Sequence, residues 1–218
     1  MSVPDGIELI HADDALLVLN KPAGLLSVPG RGPDKQDCLS ARVQRHFADA
    51  LIVHRLDMAT SGLLLMARGA AMQRELSMAF ANREVHKRYV AVVDGHLTQT
   101  AEDWHVIEQP ILLDWPRRPL HIIDPRGKPS LTRWRVLAHE ADAAGRPQTR
   151  LELEPVTGRS HQLRVHLQAL GHAIVGDALY ASPEVQARSA RLLLHASAVR
   201  LQHPLNGQPL PLSSPPPF

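Results

Sequence analysis

Val53-His54-Arg55-Leu56-Asp57-Met58-Ala59-Thr60-Ser61-Gly62-Leu63-Leu64-Leu65 sets one isolated acid between two apolar runs, with an arginine two residues before it and a Thr-Ser-Gly turn just after. Short apolar runs of this kind read as buried strands, which holds the connection between them on a rigid base. A charged triplet there is costly to bury unless it is paired, so the placement points to chemistry. A solvated surface loop is the ordinary reading of an Arg-x-Asp. The residues on both sides weigh against it here.

Working outward, many short strands alternate with few helices. Residues 7–10 and 15–19 read as strands around the polar turn His11-Ala12-Asp13-Asp14. From Asn20 to Gly30, Pro and Gly alternate with apolar residues, which specifies a rigid loop. Leu39, Val43 and Phe47 predict a helix over 37–47 with Asp37 as its N-cap. Strands at 51–53 and 63–67 flank the central motif. A helix follows over about 70–82, with Met72, Leu76, Ala79 and Phe80 as its core stripe. Residues 89–93 form a strand closed by Asp94-Gly95.

The segment 96–147 reads less clearly, with several prolines and short strand-like runs such as 131–138. A strand at 149–153 precedes Gly158-Arg159-Ser160, which opens a helix of about ten residues stopped by Gly171. A late strand at 192–196 and a flexible, proline-rich tail over about 211–218 complete the chain. The expected fold is α+β, a mixed, mainly antiparallel sheet with flanking helices and a central catalytic cleft, in a single domain over 1–218.

The composition fits this. The 218 residues are 44% hydrophobic and 21% charged, ordinary for a folded chain and unlike a disordered one. With one cysteine, Cys38, neither a disulfide framework nor a cysteine-based zinc site can form. No stretch approaches the roughly 20 apolar residues that span a bilayer, and Met1 to Gly6 has no secretory pattern, so the cytoplasm is the expected location. The net charge is only +2, but its distribution matters more. Lys87-Arg88, Arg117-Arg118, Arg126, Lys128, Arg133 and Arg135 fall in one third of the chain, which contains few acids to cancel them. Three Trp, two Tyr and three Phe are too few for a single-strand stacking platform.

Rival chemistries fit poorly. His54-Arg55-Leu56-Asp57 has one residue more than a kinase His-Arg-Asp loop, and the chain has no Asp-Phe-Gly or glycine-rich phosphate loop. Gly158-Arg159-Ser160 lacks the second glycine of a hydrolase elbow. His161 and His166 are five apart, the wrong spacing for i, i+4 metal ligands. His195, inside an apolar strand, reads as a hydrogen-bonded core histidine. Arg164 lies one residue off the apolar stripe of its helix, where its guanidinium borders the core and can reach a carboxylate.

His54-Arg55-Leu56-Asp57 with Thr60-Ser61-Gly62 resembles the signature motif of the RluA family of pseudouridine synthases. Lys21-Pro22-Ala23-Gly24-Leu25, Lys87-Arg88-Tyr89-Val90-Ala91, the run Gly158 to His166, and Gly171-His172 with Gly176-Asp177 are similar to its other motifs, in order. The likeness begins at the catalytic core, so no S4-type domain is expected ahead of it. It implies Asp57 as the catalytic aspartate, Tyr89 as the ring stacked on the target base, and Arg164 as the arginine paired with the aspartate. Arg55 is implied as the residue that fills the place of the flipped nucleotide. His54, Lys87, Arg88, Arg117, Arg118, Arg126 and Lys128 are the expected RNA contacts, with Arg42 and Arg45 as further phosphate candidates.

Ser27 to Arg31, Asp114-Trp115-Pro116 with Arg118-Pro119, and Ala181 to Glu184 resemble the dual-specificity members. That likeness implies two RNA substrates, 23S ribosomal RNA and the anticodon stem-loop of tRNA, with no membrane and no obligate protein partner. It implies no metal and no cofactor, because the uracil leaves, rotates and reattaches to the same sugar. The competing reading is a noncatalytic RNA-binding or RNA-chaperone domain on the same fold. Asp57, Tyr89 and Arg164 occurring together weigh against it.

Overall fold

The structure is a computed structural model that describes residues 2–3, 6–98 and 103–218. In chain order the strands before the first long helix are β1 (Ser2–Val3), β2 (Ile7–Ala12), β3 (Leu16–Lys21), β4 (Ala50–Ile52) and β5 (Ser61–Arg68), with helix α1 (Leu39–Gln44) between β3 and β4. Helix α2 (Gly69–Ala81) leads to β6 (His86–Asp94), β7 (His105–Glu108), β8 (Ile111–Leu113), β9 (His121–Ile123), β10 (Leu131–Ala141) and β11 (Pro147–Pro155). Helices α3 (Gln162–Ala169) and α4 (Pro183–Ala187) precede β12 (Leu194–Gln202) and β13 (Pro209–Ser213). The chain divides into two compact units, Met1–Lys87 with His195–Pro217, and Arg88–Leu194 with Phe218.

In the first unit the strands run β1-β2-β3-β5-β12, with β13 beside β12 and β4 against β5. All pairs are antiparallel except β5 with β12, which is parallel. β5 is the Ser-Gly-Leu-Leu-Leu-Met-Ala-Arg run, and all but its last residue are buried. Its odd-numbered apolar residues Leu63, Leu65 and Ala67 pack with Leu76 of α2, and Met72, Ala79 and Phe80 close the same cluster. The alternate residues Leu64 and Met66 are also fully buried, so both faces of the strand are covered. An apolar run without polar alternation is what such a strand requires.

The second unit carries an antiparallel sheet ordered β6-β11-β10-β7 and a separate β8–β9 hairpin. The whole is a mainly antiparallel mixed sheet with few helices, the α+β class expected.

Several boundaries differ for identifiable reasons. Asp37 is not the N-cap of α1. Its carboxylate instead takes a bidentate pair from Arg42, at 2.7 and 2.6 Å, and the helix begins at Leu39 behind Cys38 with no side-chain cap. α3 starts only at Gln162. Ahead of it, Gln162 Oε1 accepts from the Arg159 N–H (3.0 Å) and the Thr157 hydroxyl (2.7 Å), and His161 takes a left-handed φ of 57°, so residues 158–161 form a turn. β12 runs on to Gln202 because β13 gives it a partner along 198–202.

That pairing corrects the expectation of a flexible tail over 211–218. Pro209–Ser213 is a strand, Ser214 is buried beside His195, and the Phe218 ring lies beneath Arg150 and Arg191 in a cluster with Val92, Val175 and Val185. Alternate prolines of β13 fit because an edge strand does not need every N–H.

Gly62 fixes the approach of β5 to β12. Its φ is +109°, and a Cβ there would sit 2.3 Å from the Ala196 carbonyl oxygen, in backbone that cannot step aside. Gly62→Ala is therefore expected to cost about 2–4 kcal/mol from overpacking and the disfavoured φ together. Chemical unfolding measures it, and a variant as stable as the parent would show that the two strands separate freely.

Candidate active site

The Asp57 loop is built from a lysine that the sequence places at the end of a strand. Lys21 closes β3 and is fully buried. Its ammonium donates to the carbonyls of Pro22 (2.9 Å), Leu25 (2.7 Å) and Met58 (3.1 Å). A buried ammonium is tolerated only when its protons are taken up, and three carbonyls match its three donors. Two of those carbonyls belong to the Pro-Ala-Gly-Leu loop and the third to the residue after Asp57. Gly24 N–H reinforces the join by donating to the same Met58 carbonyl at 2.8 Å, a position reached with φ +86°.

On the other side of Asp57, Ser27 grips both main-chain polar groups of Leu56. The Ser27 hydroxyl donates to Leu56 O (2.7 Å) and accepts the Leu56 N–H (3.1 Å). Leu56 is buried, and Thr60 N–H closes a turn onto the Asp57 carbonyl at 3.1 Å. Asp57 thus sits half-buried between two backbone anchors, with the exposed Arg55 on one side and the exposed Met58 on the other. The Thr-Ser-Gly turn is tied down in turn: the Ser61 hydroxyl meets His195 Nδ1 at 2.8 Å, and His195 Nε2 reaches Ser214. His195 is the hydrogen-bonded core histidine that its apolar strand implied.

His54 holds the loop's entry. Its Nε2 accepts the Leu65 N–H at 2.9 Å, and its ring stacks on Phe80 at 4.5 Å between centroids. Burial, helped by the nearby Lys87 ammonium, lowers its pKa from 6.5 to about 3, so the ring is neutral at physiological pH. This structural task was not apparent from the sequence, which suggested His54 only as an RNA contact.

In the second unit, Tyr89 is buried on β6 opposite Leu153. Arg164 projects from α3, whose position is fixed by polar side chains. Gln162 donates to Leu131 O and Thr132 Oγ1, both at 3.0 Å, and His166 bridges Thr132 Oγ1 (2.8 Å) and Gln109 O (3.0 Å). The Arg164 guanidinium forms a bidentate pair with Asp177, at 2.8 and 2.7 Å, and both side chains are buried. The Tyr180 ring lies 5.0 Å from the guanidinium carbon. Asp177, thirteen residues away across a turn, was visible as a motif residue but not as a partner.

Within the expected cationic stretch the arginines are locally paired. Lys87 and Arg88 do not face the same way, because neighbours on a strand point to opposite sides. Arg88 turns to Glu154 (2.8 Å) and lies over the Trp104 ring, which Arg133 and Arg135 also approach. Arg135 pairs with Glu152, Arg117 with Asp114, Arg126 with Asp124 and Arg42 with Asp37. The acids are few, yet they lie two to five residues away or directly across a strand. Among the described residues, Arg118 and Lys128 are exposed cations of that stretch with no carboxylate partner.

The His54 shift has a testable sign. Between pH 6.5 and about 3 the unfolded chain binds a proton at His54 that the folded chain does not. Its contribution is therefore complete above 6.5 and is lost as the pH falls. His54→Gln, which keeps an acceptor for the Leu65 N–H, is expected to flatten the decline of the denaturant midpoint over that range. Identical pH profiles for parent and variant would contradict the assignment.

Comparison with known proteins gives this geometry a family. The family model described as RNA pseudouridylate synthase matches residues 15–169. The dual-specificity RNA pseudouridine synthase RluA of Yersinia pestis is 46% identical over 203 residues, which cover 93% of this chain and 95% of the relative. Its namesake in Escherichia coli (strain K12) is 46% identical over 211 residues, 96% of this chain and 93% of the relative. Among solved structures, human RNA pseudouridylate synthase domain containing 1 matches with a TM-score of 0.82 at 31% identity, over 100% of this chain and 86% of that one. With a likeness of that depth along nearly its whole length, the chain belongs to the RluA family of RNA pseudouridine synthases.

Proposed function

We propose that this isomerase converts uridine to pseudouridine in two RNA settings, 23S ribosomal RNA and the anticodon stem-loop of tRNA. Pseudouridine formation in RNA follows from family membership. The pair of targets rests on the dual-specificity names of relatives at 46% identity. The observation that carries the catalytic reading is Asp57 itself, a carboxylate held half-exposed on a loop anchored on both sides by buried hydrogen bonds. Such preorganisation is what a group acting on a sugar needs.

In the proposed reaction the C1′–N1 bond breaks, the uracil turns, and a C1′–C5 bond forms. The C5 proton is lost and N1 regains one, so atoms balance with no co-reactant. Asp57 serves either as nucleophile at C1′ or as the base that removes a sugar proton, and both are chemistries open to a carboxylate. Tyr89 stacks on the uracil and receives the C5 proton. Arg164, steadied by Asp177, is the proposed partner of the catalytic carboxylate. Arg55 enters the stack vacated by the flipped nucleotide, a step that costs least in a loop already partly unstacked. His54 and Lys87 border this chemistry, while Arg88, Arg117, Arg118, Arg126 and Lys128 contribute the positive field that RNA requires. The cytoplasm is the location proposed with these substrates. No helix of the described residues is long and apolar enough to cross a membrane.

Asp57→Asn is expected to abolish pseudouridine formation, read as the alkali-resistant carbodiimide adduct, while RNA affinity stays near that of the parent. Ribosomal and tRNA stem-loops assayed side by side test the paired specificity. Substantial residual turnover in the variant would sink the catalytic assignment.

A further inference from the structure

The tip of the β8–β9 hairpin carries the most exposed aromatic side chain among the described residues. Trp115 is 65% exposed, in a protein whose other described tryptophans are partly or wholly buried. Its ring is not loose. The Arg118 guanidinium carbon lies over it, 4.1 Å from the ring centroid, and the indole remains largely in solvent.

The loop beneath it is a closed frame. Asp114 is buried, its N–H donates to Leu120 O (2.9 Å), and its carboxylate accepts Arg117 Nε at 2.6 Å. Arg117 N–H returns to Asp114 O (3.1 Å), and Leu120 N–H to Arg117 O (3.0 Å). Pro116 fixes φ beside the tryptophan. At the hairpin base, a Cβ on Gly127 would lie 2.5 Å from the Ile111 carbonyl carbon, so the glycine permits the Ile111–Lys128 bridge.

A rigid frame that holds an indole out in water gains nothing for folding. What it offers is a preformed flat surface backed by the Arg118 guanidinium, on a hairpin whose base pairs with the exposed cation Lys128. That chemistry suits an unpaired base flanked by phosphates, because every base has a face to stack and the charge beside it meets the backbone. We infer that Trp115, held by Arg118, is a stacking site for an unpaired loop base of the RNA substrate, one that selects stem-loops over continuous duplex. This rests on the reading of the chain as an RNA-modifying enzyme and names how that enzyme selects its substrate.

The test compares the parent, Trp115→Ala and Trp115→Phe for binding to a uridine-containing RNA stem-loop and to a fully paired RNA duplex. Trp115→Ala is expected to weaken stem-loop binding about tenfold, the scale of one lost base stack, and to leave duplex binding unchanged. Trp115→Phe should recover most of the loss. Leu205→Ala truncates another exposed side chain, in the first unit, and is the control expected to match the parent. Unchanged stem-loop affinity in Trp115→Ala overturns the proposal. So does an equal loss on duplex, or a surface that takes up a protein partner and no RNA. If the parent forms no pseudouridine in any RNA, the functional reading fails, while the binding comparison still decides the role of Trp115.

Discussion

A buried ammonium holds this molecule's chemistry in place. Lys21 is fully buried, and its bonds to three carbonyls join the loop after β3 to the loop that carries Asp57. The role proposed for Asp57 requires a carboxylate presented repeatedly in one place, and an unrestrained loop would not do that. Apolar packing could have supplied stability but not direction. Hydrogen bonds from a fixed cation to three carbonyls supply both, at the cost of keeping a charge out of water. Ser27 and Gly24 belong to the same design, each bonding the main chain next to the acid.

Charge in the second unit is organised differently. The basic stretch from Lys87 to Arg135 is met by Asp114 and Asp124 within it and by Glu152 and Glu154 on the adjacent strand, each of which takes a nearby guanidinium. Exposed pairs of this kind contribute little to stability, commonly below about 1 kcal/mol, but they orient the arginines. Arg88, Arg133 and Arg135 are gathered against Trp104, and Arg118 is laid on Trp115. Arg164 with Asp177 and Arg188 with Asp142 are held differently, by nearly complete removal of the guanidinium from solvent.

Much of this was legible in the sequence because it follows from local rules. The apolar run of β5, the helical stripe of α2 and the Gly-Ser punctuation around Asp57 each have a spacing that dictates the element. The order of motifs along the chain revealed the family. What escaped depends on distance. Nothing in spacing shows that Lys21 points inward to Met58, 37 residues on, or that Asp177 receives Arg164. The proline-rich end read as a loose tail because composition cannot reveal that β12 offers it an edge. Asp37 looked like a helix cap until Arg42 provided a stronger partner. Counting aromatics argued against stacking in general, but one exposed indole on a stiff turn is a matter of placement and leaves no trace in composition.

The claim that Lys21 positions Asp57 without touching substrate is tested most directly by single-turnover pseudouridine formation with Lys21→Met, at a temperature where circular dichroism shows the variant folded. The account predicts a large drop in the rate of the chemical step with RNA affinity close to that of the parent, because the acid is still present but no longer held. A folded Lys21→Met enzyme that turns over at the parental rate would contradict it.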